Sequence, residues 1–469
     1  MFNIFGKIKS TATTVKKMVL GSSPHKLTFK EERAYWGDAN GLSADSMITP
    51  EFRRKWRNIA RYEINCNSYA NGLMLTLADV GIGTGARLQL LTEDKNYNSQ
   101  VEQEFTAWAE TINLGEKLKT LRKAKCVDGE AFAIIVNNPK VRHAVNIDLR
   151  IVECDRVTTP YPVFRQRVDG IDYDKYGNPV SYDVLKEHPG GLLHSLFNEV
   201  ERVPAEFMLH WYRQNRPEQS RGVTELLPSL PLFAQLRRYT EAVLKAAEVA
   251  ADIIGVIKNS EGDIAEVKNT VHEIERGMFN VIPSGWDFSQ LKAEQPTTTY
   301  QMFKREILSE IGRCLQIPTN IILGDSSNYN YASGRLDHQT FYKSIKNEQE
   351  HCEKVVLFPL LEMWYREAVR VGLIAERPIP QISSQYACFY WDAMEHVDPL
   401  KEAKAAATRR DSGFTTDSYE CGRLGMDYED VYRQRAREMR LKEELGLTEP
   451  IKNNNNNNTE NEESDGENE

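Results

Sequence analysis

"PSLPLFAQLRRYTEAVLKAAEVAADIIGVI", residues Pro228–Ile257, reads as one long alanine-rich helix. Glycine, asparagine and proline punctuate Lys258–Pro296 after it, and helical spacing returns at "TTYQMFKREILSEIGRCLQ", residues 298–316. A polar stretch, "LGDSSNYNYASGRLDHQ" (Leu323–Gln339), then leads into a further helical pattern over residues 336–372. Upstream the text changes period. Thr49 is placed to cap a helix with Pro50 at its first position, and Phe52, Trp56 and Ile59 follow at helical spacing. "GIGTGARLQLLT" (81–92) reads as a turn feeding a strand. A short helix around 101–112 and a longer one around 117–129 come next. Strands are expected at "EAFAIIV" (130–136), "IDLRIVECDRV" (147–157), "VDGIDYDKYGNPVSYDVL" (168–185, with a hairpin turn at Tyr176-Gly177-Asn178) and "FMLHWY" (207–212). A last helical unit spans 398–446. The fold class is α+β, with long helices bracketing a loop-rich insert.

Composition narrows the function classes. The 469 residues are 41% hydrophobic and 27% charged, an ordinary globular balance. No apolar run approaches the ~18–20 residues that cross a bilayer, so no membrane partner is expected. The first 26 residues hold lysines, no acid and no long apolar core, which reads as a mobile basic arm rather than a secretory signal. Cys66, Cys126, Cys154, Cys314, Cys352, Cys388 and Cys421 are scattered and never form C-x-x-C, which predicts reduced thiols and no zinc knuckle. Of the net charge of −9, −6 belongs to the tail after Thr448, an asparagine run followed by acids whose composition predicts disorder. The body is near neutral, without the basic footprint of a wrapping DNA binder.

Three motifs invite chemistry. "GIGTGA" (Gly81–Ala86) matches a dinucleotide fingerprint, but that fingerprint needs strand before and helix after, the reverse of the order here. A glycine turn is the reading. "GDSS" (Gly324–Ser327) resembles the GDS block of serine esterases. It would require Ser326 as nucleophile, with His338 or the acid and histidine of "DAMEH" (Asp392–His396) as partners. None of the nine histidines forms H-x-x-x-H, and His351-Cys352 are adjacent, on different helix faces. No cofactor, no metal and no enzymatic activity are expected.

Eight blocks in order carry a resemblance. They are "GIGTGARLQ" (81–89), "VDGEAFAIIV" (127–136), "IVECDRVTTP" (151–160), "GIDYDKYGNPVSYDVLKEHPG" (170–190) and "VPAEFMLHWYRQNRPEQSRGVTELLPSL" (203–230). They continue with "YTEAVLKAAEVAA" (239–251), "IPTNIILGDSSNYNYASGRL" (317–336) and "HVDPLKEAKAAATRRDSGFTTDSYECGRLGMDYEDVYRQRARE" (396–438). Together they resemble the lambda-like family of bacteriophage portal proteins over about Phe52–Leu447. The resemblance implies a dodecameric ring at one capsid vertex, a head-tail connector in the virion that assembles in the host cytoplasm. Double-stranded DNA passes through its channel in packaging and ejection. The large terminase subunit docks first, head-completion or neck proteins replace it, and major capsid or scaffold proteins surround it.

By order, the same resemblance implies a portal-type subunit. Its parts would be a basic arm (1–44), an α/β wing (45–230), a stem helix (231–257), a clip (258–296) and a second stem helix (297–316). A tunnel loop (317–335), a long wing helix with its following segment (336–384), crown-like helices (385–447) and the acidic tail (448–469) complete it. Ala242, Ala246, Ala247, Ala250 and Ala251 would let stem helices of neighbouring subunits pack closely. The tunnel loop would present Asp325, Ser326, Ser327, Asn328, Tyr329, Asn330, Tyr331, Ser333 and Arg335 to DNA. Neutral, short-lived hydrogen bonds and flat rings suit a sliding duplex, since each neutralised phosphate adds affinity and salt dependence. The stretch also reads as a plain surface linker. A serine hydrolase using Ser326 and another phage structural or adaptor protein are the alternatives.

Overall fold

The computed structural model describes residues 41–159, 167–191, 199–252, 256–259, 286–289, 298–327, 330–377, 386–392 and 399–447. After a single turn at Ala44–Met47, helix α1 (Pro50–Cys66) starts as the sequence predicts. The Thr49 hydroxyl accepts from the Phe52 N–H, and Pro50 sits where a missing N–H costs nothing. Asn67 both ends α1 and caps α2 (Ser68–Ile82). Gly83, with φ +56°, stops α2, and β1 (Arg87–Leu90) follows. Helix precedes strand here, so "GIGTGA" is a turn. Helices α3 (Lys95–Thr111) and α4 (Leu114–Asp128) come next, and α3 is the longer of the two, contrary to the sequence reading. Asp94 caps it ahead of Tyr97 and Val101, which extend its buried stripe N-terminally.

Strands β2 (Glu130–Asn137), β3 (Ile147–Val152) and β8 (Met208–Tyr212) form one antiparallel sheet in the order β3-β2-β8. The second sheet is β4 (Arg167–Val168), β5 (Ile171–Tyr173), β6 (Pro179–Leu185) and β7 (Val200–Pro204), with the expected turn at Gly177 between β5 and β6. The continuation of "IDLRIVECDRV" leaves the sheet at a 3-10 turn, Cys154–Arg156. Helix α5 spans Leu230–Asp252 and is followed by β9 (Val256–Asn259), paired antiparallel with β10 (Trp286–Ser289). The expected helix to Ile257 is therefore too long: β-branched Ile253, Ile254, Val256 and Ile257 around Gly255 favour extended backbone. Then come α6 (Thr298–Cys314), α7 (Thr319–Leu323) and α8 (Tyr331–Cys352). Helix α8 runs through a π-helical turn (Glu353–Leu357) into α9 (Phe358–Arg370). Pro359 lacks an N–H and crowds the carbonyl four residues back, and a wider turn relieves both. β11 (Ala387–Tyr390) pairs with β1, and α10 (Pro399–Asp411), α11 (Asp417–Arg423) and α12 (Tyr428–Glu444) end the chain described. Asp398, the first residue of the last helical unit expected from the sequence, lies outside the described residues.

Three apolar cores hold these parts. One joins α3, α4, the β3-β2-β8 sheet and α9 around Phe105, Trp108 and Trp364, whose rings sit 5.1–6.1 Å apart. A second joins α1, α2, α5, α6 and α8 around Phe233, Ile311 and Phe341. The third fills the space between the two sheets. Among the described residues, no helix is long and apolar enough to cross a membrane.

Candidate functional site

The polar stretch between α6 and α8 is not one open loop. Helix α6 buries Leu308 and Ile311 and ends where Ile317 N–H donates to Gly312 O at 3.0 Å, with Gln316 at φ +59°. Gly312 has no room for a side chain, because a Cβ there would lie 1.7 Å from Ile322 Cδ1. That close approach seats α7 on α6. Gly324 (φ +62°) ends α7, and the Asp325 carboxylate accepts from Ser327 N–H at 2.9 Å; the Ser327 hydroxyl first, and this N–H second, hold its pKa below the usual value. Asn330 then caps α8, accepting from Ser333 N–H at 2.8 Å.

Asp325, Ser326, Ser327 and Asn330 therefore lie in an exposed turn, while Tyr331, Ser333 and Arg335 belong to the first turns of a helix. Asn328 and Tyr329 lie outside the described residues. The expected loop over 317–335 is corrected: helices occupy Thr319–Leu323 and, from Tyr331, the start of α8, where the Asn330 side chain satisfies N–H groups that a helix start leaves open. The turn does not assemble a hydrolytic triad. Both ring nitrogens of His338 are engaged, with Asn320 Nδ2 at 3.1 Å and Tyr342 OH at 3.3 Å. Asp392 accepts from the Thr84 N–H and hydroxyl in the turn before β1, and His396 lies outside the described residues.

The two long helices flanking this region touch through aromatic rings. Tyr239 lies 4.4 Å from Phe303 and 5.8 Å from Tyr300, centroid to centroid. Ala242 and Ala246 are exposed and Ala247 half-buried; Ala250 and Ala251 are helical, on α5. Leu244, Val249 and Met302 nearby are also exposed, at 59%, 48% and 64%. Ala242 and Ala246 are thus uncovered in the single chain.

Sequence reasoning missed an ionic centre. On α1 the stripe that is fully buried is Arg53, Arg57, Ala60 and Glu63, with Phe52, Trp56 and Ile59 only half-buried. Arg53 and Arg57 converge on Glu130, the first residue of β2, which is wholly buried. Arg221 grips the same carboxylate through two bonds of 2.6 and 2.8 Å, and Gly222 N–H and His210 Nε2 complete its shell at 3.0 and 3.2 Å. Asp169 and Asp155 take the outer bonds of Arg53 and Arg57. Burial opposes ionisation of Glu130, but Arg221, His210 and Arg53 outweigh it and hold the carboxyl well below its usual range. Burial likewise pushes the His210 imidazole down, so it is neutral here. The approach depends on Gly222, where a Cβ would lie 2.1 Å from Gly129 O. A second buried knot joins Lys125 and Arg122 of α4 to Glu225, and Lys125 to Glu348 of α8. The signal for both lay in charged residues interrupting apolar spacing, Glu130 opening "EAFAIIV" and Lys125 inside α4. In both knots buried cations and carboxylates pair with one another, tying α1 to the start of β2 and α4 to α8.

A family model described as "Phage portal protein, lambda family" matches residues 30–349. The chain is 25% identical over 390 residues to a probable portal protein of Halomonas phage phiHAP-1, covering 76% of this chain and 73% of that protein. It is 22% identical over 172 residues to the portal protein of Escherichia phage N15, 35% of this chain and 32% of that one. Among solved structures it is similar to the neck of a native GTA particle computed with C12 symmetry, at 15% identity and a TM-score of 0.45, over 80% of this chain and 94% of that one. The virion of the native gene transfer agent particle gives 16% identity and a TM-score of 0.43 over the same shares.

Proposed function

The chain belongs to the lambda family of phage portal proteins, and from that premise we propose how its parts divide a portal's work. Twelve copies form a ring at one capsid vertex of the virion, assembled in the host cytoplasm, and duplex DNA passes through its channel. The α+β body from α1 to β8 is the wing, and α5 and α6 are the stem helices with the clip between them. The turn Gly324–Asn330 with the start of α8 is the tunnel element facing DNA, and α10–α12 form the crown. The large terminase subunit docks during packaging, head-completion proteins follow, and capsid or scaffold proteins meet the wing. The protein is not an enzyme; the energy for translocation comes from the terminase.

One observation carries this reading: the family match, continuous from the basic arm into α8. The uncovered face of α5, with Ala242, Ala246 and Leu244 exposed, supports a contact made between subunits. The turn holds no cation, and its one charge is the Asp325 carboxylate, so it offers hydrogen bonds without a phosphate clamp and supports a surface along which DNA slides. Electron microscopy of the purified full-length protein tests it. Rings with a hole wide enough for duplex DNA are expected. A monomer, or an oligomer without such a hole, would overturn it in favour of a hydrolase or an adaptor.

A further inference from the structure

A groove of about 640 Å³ opens between α6, the segment before α7 and the first turns of α8. Its wall is apolar at Phe303, Ile307, Ile317 and Pro318, and Phe303 is 40% exposed. Its rim is acidic: Glu306, Glu310 and Asp337 are all exposed and have no ion-pair partner among the described residues. Arg313 is the single cation among the lining residues. No group of carboxylates, histidines or cysteines among the described residues is arranged to hold a metal ion. An apolar wall under unpaired like charges calls for a ligand that is apolar in the middle and cationic at its edges.

The same chain exposes such a surface. On α8, Phe341, Ile345 and Gln349 form the buried stripe. At 100° per residue, Asp337 falls on one flank of that stripe, at the groove, and Thr340 lies between that flank and Leu336. Arg335 and Lys346 fall on the other flank, and Leu336 and Lys343 lie opposite the stripe. Leu336 is 65% exposed, and Arg335, Lys343 and Lys346 have no ion-pair partner among the described residues. Glu350 is the one acid on this ridge within α8, and Glu353 follows it in the π turn. Groove and ridge are different faces of one molecule, so pairing them gives a head-to-tail contact, the kind that propagates and closes into a ring when the rotation allows.

We propose that the groove is the socket of the subunit interface and receives the ridge of Arg335, Leu336, Lys343 and Lys346 from the next copy of this chain. The proposal rests on the ring reading above and adds which faces meet. Leu336 enters the apolar wall, and the three cations meet Glu306, Glu310 and Asp337. The interface therefore lies beside the tunnel element, so ring closure and the position of the Asn330 cap are set by the same contact.

Charge reversal in the full chain tests this. Glu306→Lys with Glu310→Lys, and separately Lys343→Glu with Lys346→Glu, should each raise the protein concentration needed for half-maximal ring assembly about tenfold or more. All four substitutions in one chain should recover assembly toward the wild-type level, as read by native mass spectrometry and electron microscopy. Circular dichroism checks that each variant is folded, as expected for exposed positions. As a second measurement, Phe303→Cys with Leu336→Cys should give a ladder of covalent oligomers on oxidation, where either cysteine alone does not. Reversals that leave assembly unchanged, a fourfold variant no better than the folded doubles, or no ladder would overturn the interface. A wild-type chain that stays monomeric would overturn the ring and this interface together.

Discussion

Removing the carboxylate of Glu130 is the most direct test of what holds the body together. Glu130→Ala would leave Arg53, Arg57 and Arg221 converging on a site with no central anion. Breaking a buried ion pair from one side costs about 3–5 kcal/mol, because the remaining charge stays out of water without compensation. Arg53 and Arg57 keep Asp169 and Asp155, while Arg221 falls back on the carbonyls of Val157 and Asp169. That partial rescue puts the expected loss near the lower end, about 3 kcal/mol. Urea unfolding followed by tryptophan fluorescence, at one fixed protein concentration, measures it. Glu130→Gln keeps the shape and an acceptor oxygen, so it should lose less. The acid limb adds a second reading. A carboxyl held below its ordinary value of 4.5 contributes fully above that pH, and its contribution is withdrawn as pH falls through the depressed value. The wild type should therefore lose stability more steeply than Glu130→Gln below about pH 4.5. A loss under about 1 kcal/mol for Glu130→Ala, or parallel acid limbs, would refute the claim that this centre is dry and tightly paired.

Three further outcomes are expected. Ala246→Asp, on the exposed face of α5, should abolish rings while leaving the far-ultraviolet spectrum and the melting of the body unchanged; rings of normal size would count against α5 as a stem helix. Lysines at Asn328 and Asn330 should slow DNA packaging at low salt and recover as salt rises, whereas Tyr329→Ala with Tyr331→Ala should weaken DNA retention; both are scored by DNA length retained in heads at two salt concentrations. Truncation from Asp398, which removes α10–α12, should impair packaging more than ring formation, and deletion from Lys452 should affect neither; a packaging defect in the shorter deletion would give the acidic tail a partner.

The local signals were legible and the long-range ones were not. Thr49-Pro50, Gly83 and Gly177 act within a few residues, through a cap or a positive φ, so spacing alone locates them, whereas the short helix α7 ending at Gly324 lay inside a stretch read as loop. The end of α5 was misplaced because an apolar run such as "IIGVI" suits helix or strand equally until a pairing partner, here β10, decides it. Arg53 and Glu130 are 77 positions apart, and a charged residue in an apolar register reads as solvent-facing when its partner is not visible. The polar stretch after α7 was legible as a break between helices, but Asn330 looked like one more residue of a Tyr-Asn alternation until its side-chain oxygen met the Ser333 N–H.

The unbroken helical run from Tyr331 to Arg370 comprises 22, 5 and 13 residues, a shaft of roughly 60 Å at 1.5 Å per residue. Its first half is keyed into the core of α1, α5 and α6 through Phe341 and Ile345, and its second half into the separate core of α3 and α4 through Leu360, Leu361 and Trp364. The π turn between them lies just before Pro359, so the shaft is least able to resist twist at the junction of the two cores. Axial load arriving at Asn330 would be borne by the whole shaft, whereas torque would be shed at Glu353–Leu357. On the portal function proposed above, a duplex that both pulls and rotates would have its two motions felt at different places in the same subunit.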